Sequence, residues 1–382
     1  SNDRIKPKCR HFGKCGGCDL QHISAPLQEE IKRISLARTL SKTANVSPEI
    51  PPVVCGREWE YRNKLALPFG KDRQGRTVLG FYAKRSHRVI PLKECPLHGE
   101  WVQDVIAAVM AWADAHRLSV YDEGTGRGLL RHVVARFLTT LSVVVVVNAD
   151  ELPYADDLMR RLTERLGDVA LYVSSNKEAT NVIFGESVRL VGGEERKQRL
   201  GSFSACISPL SFLQVNDEIR DRIYADVCDE IAGAEGDITE LYSGVGLLTA
   251  ELALRLPDAR ITAVEIVPDA VRDAKKLMAE LGLSDRVKEV CADAAEYMAS
   301  AAREPGRLLV LDPPRQGCDE RVLSAAAEAA YSRIVYISCN PATLARDIKF
   351  LTAHGYKLSS VRPYDMFPRT YHVETLVLLC RK

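Results

Sequence analysis

The sequence predicts an α/β protein: a Rossmann-like, doubly wound sheet in the C-terminal half, a β-rich α+β region ahead of it, and a cysteine-bearing N-terminal loop. Three observations predict this. From Ser211 onward, short apolar runs alternate with helical stretches, the pattern of a parallel sheet wrapped by helices. A glycine turn, Tyr242-Ser243-Gly244-Val245-Gly246, joins the first of those strands to the helix after it. Cys9, Cys15 and Cys18 crowd into the first twenty residues.

Composition sets the outer bounds. The 382 residues are 46% hydrophobic and 27% charged, ordinary values for a folded chain of two or three domains. No apolar run approaches the roughly 18 residues a membrane span needs, and the first residues lack signal-peptide character. A cytoplasmic, monomeric protein without membrane contact is expected. The chain opens on Ser1 rather than Met, which points to processing or to missing upstream residues. The net charge of +1 hides an asymmetry, because residues 1–100 carry 19 Lys and Arg against 10 Asp and Glu. A basic front suits phosphate contact, although a solvated face would look the same. Eleven cysteines, odd in number and unevenly spaced, argue against a disulfide framework and for a metal centre plus a catalytic thiol.

Residues 1–20 read as a Cys/Gly-rich loop. Residues 21–52 hold a linker and an amphipathic helix from Ala25 to about Thr43, with Leu27, Ile31, Ile34, Leu36 and Leu40 on one face and basic residues on the other. The central region, 53–210, mixes strand stretches (Lys64–Pro68, Thr77–Tyr82, Val133–Phe137, Leu141–Asn148) with helices at Glu100–Ala115 and Tyr154–Leu166. Gly70 to Gly75 is its clearest hairpin loop. The last region, 211–382, predicts strands at Ile238–Leu241, Arg260–Glu265, Val287–Cys291, Leu308–Asp312, Arg333–Ser338, Lys357–Val361 and Glu374–Cys380. Such open sheets bind ligands beyond the carboxyl ends of their strands.

Gly244 and Gly246 let the backbone turn tightly and approach a ligand at a helix N-terminus. Glu265 ends the next strand, where an acidic side chain accepts from ribose hydroxyls, and Asp293 follows the third. Gly-x-Gly alone would suit a nicotinamide enzyme or a purely structural turn. Thr249 stands where a dinucleotide fingerprint has its third glycine, which favours S-adenosylmethionine.

Two further strand ends meet the same edge: Asp312-Pro313-Pro314-Arg315 and Ser338-Cys339-Asn340-Pro341. A thiolate adding to carbon-6 of a pyrimidine makes carbon-5 nucleophilic enough to accept a methyl group, and a base must then remove the carbon-5 proton. Cys339 suits the first task and Glu374, which opens the final strand, the second. A lone cysteine or a strand-end carboxylate is ordinarily structural; their coincidence with the glycine loop carries the reading.

As a set, Phe212-Leu213-Gln214-Val215-Asn216, Tyr242 to Gly246, Asp312 to Arg315, Ser338 to Pro341 and Asp365-Met366-Phe367-Pro368 leading to His372-Val373-Glu374 resemble the RNA (uracil-5-)-methyltransferase family. The resemblance spans nearly the whole chain. It implies a class I methyltransferase domain in 211–382, a central RNA-binding domain in 53–210, Cys339 as nucleophile, and Glu374 as proton acceptor. It also implies contacts to S-adenosylmethionine from Gln214, Tyr242, Glu265 and Asp312, with Asp293 on a looser alignment. Ser243 stands where relatives often carry Cys, and Leu247 replaces a polar residue common among them.

Cys9, Cys15, Cys18 and Cys95 suit zinc or an iron–sulfur cluster on local chemistry. The resemblance implies a 4Fe-4S cluster, stapling a basic loop (Arg4, Lys6, Lys8, Arg10, Lys14) that grips RNA. Many members carry a small β-barrel ahead of the cysteines; a chain opening eight residues before Cys9 is then a short form, or one with that module removed. The implied substrate is a uridine of 23S ribosomal RNA first and of transfer RNA second, its base flipped from the stack. The rivals are a methyltransferase with another substrate and a metal-bearing RNA-binding protein that has lost catalysis.

Overall fold

The computed structural model describes residues 3–234, 236–300 and 307–382. The N-terminal helix α1 (Ala25–Thr39) widens into a π-helical turn at Leu40–Ala44 and ends at Asn45 in the left-handed region. The central region then builds one seven-stranded sheet from β1 (Lys64–Lys71), β2 (Thr77–Tyr82), β3 (Val89–Pro91), β4 (Leu130–Phe137), β5 (Leu141–Val147), β6 (Val169–Ser175) and β7 (Val188–Gly192). Its order is β3-β2-β1-β4-β5-β6-β7. Helices α2 (Trp101–Ala115) and α3 (Ala155–Leu166) bury one face of it, where Leu65, Leu67, Val133, Val143, Val145 and Leu171 point inward at alternate positions. Parallel pairing of β5 with β6 needs a crossover, and α3 supplies it. A hairpin of β8 (Gln198–Leu200) and β9 (Phe203–Ala205) follows, its Leu200, Phe203 and Ala205 packing into the core of the second sheet.

That second sheet comprises β10 (Ile238–Leu241), β11 (Ile261–Glu265), β12 (Val287–Cys291), β13 (Leu308–Leu311), β14 (Arg333–Ser338), β15 (Tyr356–Tyr364) and β16 (Glu374–Arg381). The order is β12-β11-β10-β13-β14-β16-β15, with neighbours parallel except that β16 runs antiparallel between β14 and β15. All four residues of β13 are buried, as expected of a strand covered on both faces. The cover comes from α4 (Asp217–Ile231), α5 (Leu247–Arg255) and α6 (Pro268–Glu280) on one side, and α7 (Ala294–Ser300), α8 (Glu320–Ala329) and α9 (Pro341–Ala353) on the other. The chain reverses direction across the sheet between β10 and β13, opening a crevice at their carboxyl ends. Because β16 is antiparallel, its first residue reaches the same edge.

The basic face expected of α1 is only partly wet. Lys32 is 1% exposed and Gln28 2%, because both turn inward to Asp365: Lys32 Nζ lies 2.6 Å from Asp365 Oδ1, and Gln28 Nε2 donates to Oδ2 at 3.4 Å. Burial works against both charges of the Lys32–Asp365 pair and leaves Lys32 lowered and Asp365 raised, their contact offsetting it only in part. Lys32→Ala would leave Asp365 buried and unpaired, so a loss of about 3–5 kcal/mol is expected in urea unfolding. A variant within about 1 kcal/mol of the parent would show the pair to be dispensable.

Candidate active site

Tyr242 follows β10 with φ +65°, a conformation uncommon for a bulky residue and one that turns the chain sharply over the strand end. Gly246 (φ +79°) begins α5 against its neighbours, where a Cβ would come within 3.1 Å of Ala274 Cβ. A Cβ on Gly244 would instead meet nothing within 4 Å, so open space lies over the loop there. Glu265, at the end of β11, ties this loop down: Gly244 N–H donates to Oε2 at 3.0 Å and Val267 N–H to Oε1 at 2.9 Å. Asp293 caps α7, its Oδ1 accepting from Ala295 and Glu296. Ile266, beside Glu265, is 60% exposed at the same rim, an apolar residue that periodicity had no reason to single out.

Buried acid lines the floor. Glu240 is 2% exposed, receives the Thr249 hydroxyl at 2.6 Å, and has its pKa raised to about 8 by burial, with Asp312 adding to the rise. Burial alone raises Asp312, one residue beyond β13, to about 7.

The two expected chemical groups converge. Ser338 pairs with Thr375 across β14 and β16, so the next rung outward sets Cys339 against Glu374. Glu374 is 3% exposed; burial and then Asp312 raise its pKa to about 8, while Arg315 opposes them. Cys339 is half-buried, and its thiol is raised by burial, then by Glu374, with Arg315 acting the other way. Two loops are stapled around this pair, since Asn340 Nδ2 donates to the Arg315 carbonyl at 2.9 Å and the Thr343 hydroxyl reaches the same oxygen at 3.3 Å. Asn340 also caps α9 through Ala342 N–H, with Pro341 at the first turn. An Asn-Pro step ahead of a helix is a legible cap, so this positioning role was open to sequence reasoning.

Gln214 sits on a segment clamped from both sides. Asn63 Nδ2 donates to the Gln214 carbonyl at 3.1 Å, and Asn216 Nδ2 to the Met366 carbonyl at 3.3 Å. The loop running from Met366 to Glu374 is held in turn by Arg369, which donates to the Ile23 carbonyl, pairs with Glu58 and lies over the Trp59 ring.

Cys9, Cys15, Cys18 and Cys95 are free thiols gathered in one neighbourhood. Burial raises the pKa of Cys15, Cys18 and Cys95, and Cys9 adds to the rise at all three. Backbone amides of His11 and Gly17 point at Cys9 and Cys15 sulfurs, each at 3.4 Å. Among the described residues, however, no group of three or more His, Cys, Asp or Glu side chains is arranged to hold a metal ion, so the expectation of a metal centre finds no formed site here. No helix among the described residues is long and apolar enough to cross a membrane.

The strand order, the glycine loop and the acidic strand ends together define a class I methyltransferase domain. A sequence model of the tRNA (uracil-5-)-methyltransferase family matches residues 203–382. Across 99% of the chain, an uncharacterized RNA methyltransferase of Clostridium tetani is 38% identical, and one of Halalkalibacterium halodurans 37%; the match covers 84% of each relative. The tRNA (uracil-54, C5)-methyltransferase of Pyrococcus abyssi, solved with S-adenosyl-L-homocysteine, superimposes with a TM-score of 0.79 at 26% identity, over 96% of this chain and 86% of that one. The chain belongs to the RNA (uracil-5-)-methyltransferase family.

Proposed function

We propose that this protein methylates carbon-5 of a uridine in RNA through a transient bond between Cys339 and the pyrimidine. The observation that carries the reading is the register of the adjoining strands β14 and β16, whose Ser338–Thr375 pair sets Cys339 opposite Glu374 on the next rung, at the strand ends that also bear the glycine loop and Asp312. S-adenosylmethionine, when bound, supplies the methyl group as an electrophile. Gly244, Gly246, Tyr242 and Glu265 form its cradle, Ile266 offers apolar surface to a purine face, and Gln214, Asp293 and Asp312 complete the set. The open space over Gly244, in a loop that Glu265 holds in place, fits that molecule.

Cys339, half-buried, gives its proton to solvent and its sulfur bonds to carbon-6, pushing the ring electrons toward carbon-5 and the carbonyl oxygen. Once carbon-5 carries the methyl group, the Glu374 carboxylate takes the carbon-5 proton. The pair from the broken C–H bond restores the ring double bond, and the thiolate leaves. The substrate is an RNA loop, ribosomal or transfer, from which the base is turned out. A transcript containing 5-fluorouridine tests this, because fluorine in place of the carbon-5 proton blocks the last step. A protein–RNA adduct that survives a denaturing gel is expected; RNA binding with neither adduct nor methyl transfer would leave a binding protein that has lost catalysis.

Cys9, Cys15, Cys18 and Cys95 are the ligands of an iron–sulfur cluster in this reading. Four thiols in one neighbourhood, with backbone amides aimed at the Cys9 and Cys15 sulfurs, are the donor chemistry such a cluster needs. The cluster, when bound, supplies a crosslink between the first loop and the turn at Cys95, and no electrons to the methylation. Iron and acid-labile sulfide in comparable amounts are expected in anaerobically purified protein; stoichiometric zinc would overturn the assignment.

A further inference from the structure

On the face of the central sheet turned away from α2 and α3 lies a second concavity. His132 shares a face of β4 with Val134, the face turned away from α2 and α3. There Tyr82, Tyr121, Arg131 and His132 line a cavity of about 230 Å³, which residues 180–183 help to close. Drug-sized pockets run to roughly 300–1,000 Å³, so this one suits a single flat heterocycle.

Its walls have the chemistry of a ring site and not of an anion site. The His87 ring stacks on Tyr82 with centroids 5.3 Å apart, and the Arg131 guanidinium lies 4.3 Å above the Tyr121 ring. Arg131 is already engaged, donating to the carbonyls of Asn176, Glu178 and Thr180. Glu123, 2.8 Å from His87 Nδ1, adds a carboxylate that would repel phosphate. His132 Nδ1 is shielded from water and bonded to nothing, a polar atom in want of a partner.

The location fits a strand of RNA that also enters the crevice. His132 and Arg136 are four residues apart on one face of β4, about 13 Å at 3.3 Å per residue. Arg136 donates to the Ser211 carbonyl at 2.8 Å, at the start of the segment that carries Gln214. Exposed Arg73, Arg85 and Arg88 on the neighbouring loops are available to phosphates beside the pocket.

We propose that this pocket receives one unstacked nucleobase of the RNA substrate, at a nucleotide other than the methylated uridine, against the rings of Tyr82 and Tyr121. RNA readers take unpaired bases onto aromatic side chains in this way. The inference rests on RNA being the substrate, so the wild-type protein is first reacted with 5-fluorouridine-containing transcripts of transfer RNA and 23S ribosomal RNA. Absence of any adduct overturns the catalytic reading, and the pocket's ligand with it. With the transcript that reacts, Tyr82→Ala is expected to weaken RNA binding and raise KM about tenfold, leaving kcat and S-adenosylhomocysteine affinity as they were. Tyr82→Phe keeps the stacking surface and stays within about twofold of the parent. Unchanged RNA binding by Tyr82→Ala overturns the pocket alone, as does an equal loss in Tyr82→Phe. If Tyr82→Ala fails to hold S-adenosylhomocysteine, short-wave ultraviolet crosslinking of the wild-type complex decides: an RNA-linked peptide containing Tyr82 or Tyr121 supports the proposal, and crosslinks confined to other peptides refute it.

Discussion

Cys339→Ser is expected to lower methyl transfer by roughly 10⁴-fold or more, with no adduct on 5-fluorouridine RNA, while S-adenosylhomocysteine binds as before. A hydroxyl is a far poorer source of an attacking anion than a thiol, and the substitution leaves the glycine loop untouched. The site makes the thiolate itself scarce, since burial and then Glu374 raise the Cys339 pKa while Arg315 only partly opposes them. Single-turnover rates of the wild-type enzyme should therefore climb as pH rises through neutrality, as Asp312 and Glu374, at about 7 and about 8, and then the thiol give up protons. In Cys339→Ser that climb disappears with the activity. Turnover of the serine variant near the parental rate would remove the covalent route altogether.

The placement of Cys339 and Glu374, the proposed catalytic pair, at one sheet edge was legible because both residues stand at ends of apolar runs, and apolar runs are what periodicity reads best. Val287–Cys291, Arg333–Ser338 and the start of the last strand at Glu374 agree residue for residue with expectation. Where a strand lost its apolar signal, the expectation fell short: β15 continues from Val361 through Arg362 and Pro363 to Tyr364, which an edge strand tolerates and a pattern search discounts. The pairing of β16 between β14 and β15 brings Glu374 to Cys339, and no local feature encodes that order. Lys32 was illegible for a related reason. A lysine on an amphipathic helix reads as solvated, and only the fold reveals that Asp365, 333 positions away, takes it inside. Asp293 shows the reverse hazard, for an acid at a strand end can be capping the next helix as well as facing a ligand.

Glu374→Gln separates the two halves of the reaction. Amide in place of carboxylate leaves the thiol, the glycine loop and the shape of the site intact, so attack and methyl transfer proceed, but nothing takes the carbon-5 proton. Steady-state turnover should fall by about 10²- to 10⁴-fold, and ordinary uridine RNA should remain bound as a methylated adduct that wild type never accumulates. Stability should move the other way. The folded-state pKa of Glu374, about 8, lies above the 4.5 of an unperturbed glutamate, so the protonated form is the one the fold favours. That contribution is complete below pH 4.5 and is lost as pH rises to about 8, at about 1.4 kcal/mol per pH unit across the window. The substituted amide has no proton to lose, so the variant should gain on the parent in denaturant unfolding as pH goes from 5 to 9. A variant that turns over freely without a trapped adduct assigns the proton to another base, for which Asp312, half-buried and close enough to raise the Glu374 pKa, is the candidate. A stability difference that stays flat with pH would mean that Glu374 is ionised at neutrality in the free protein, and that burial is offset by more than Arg315.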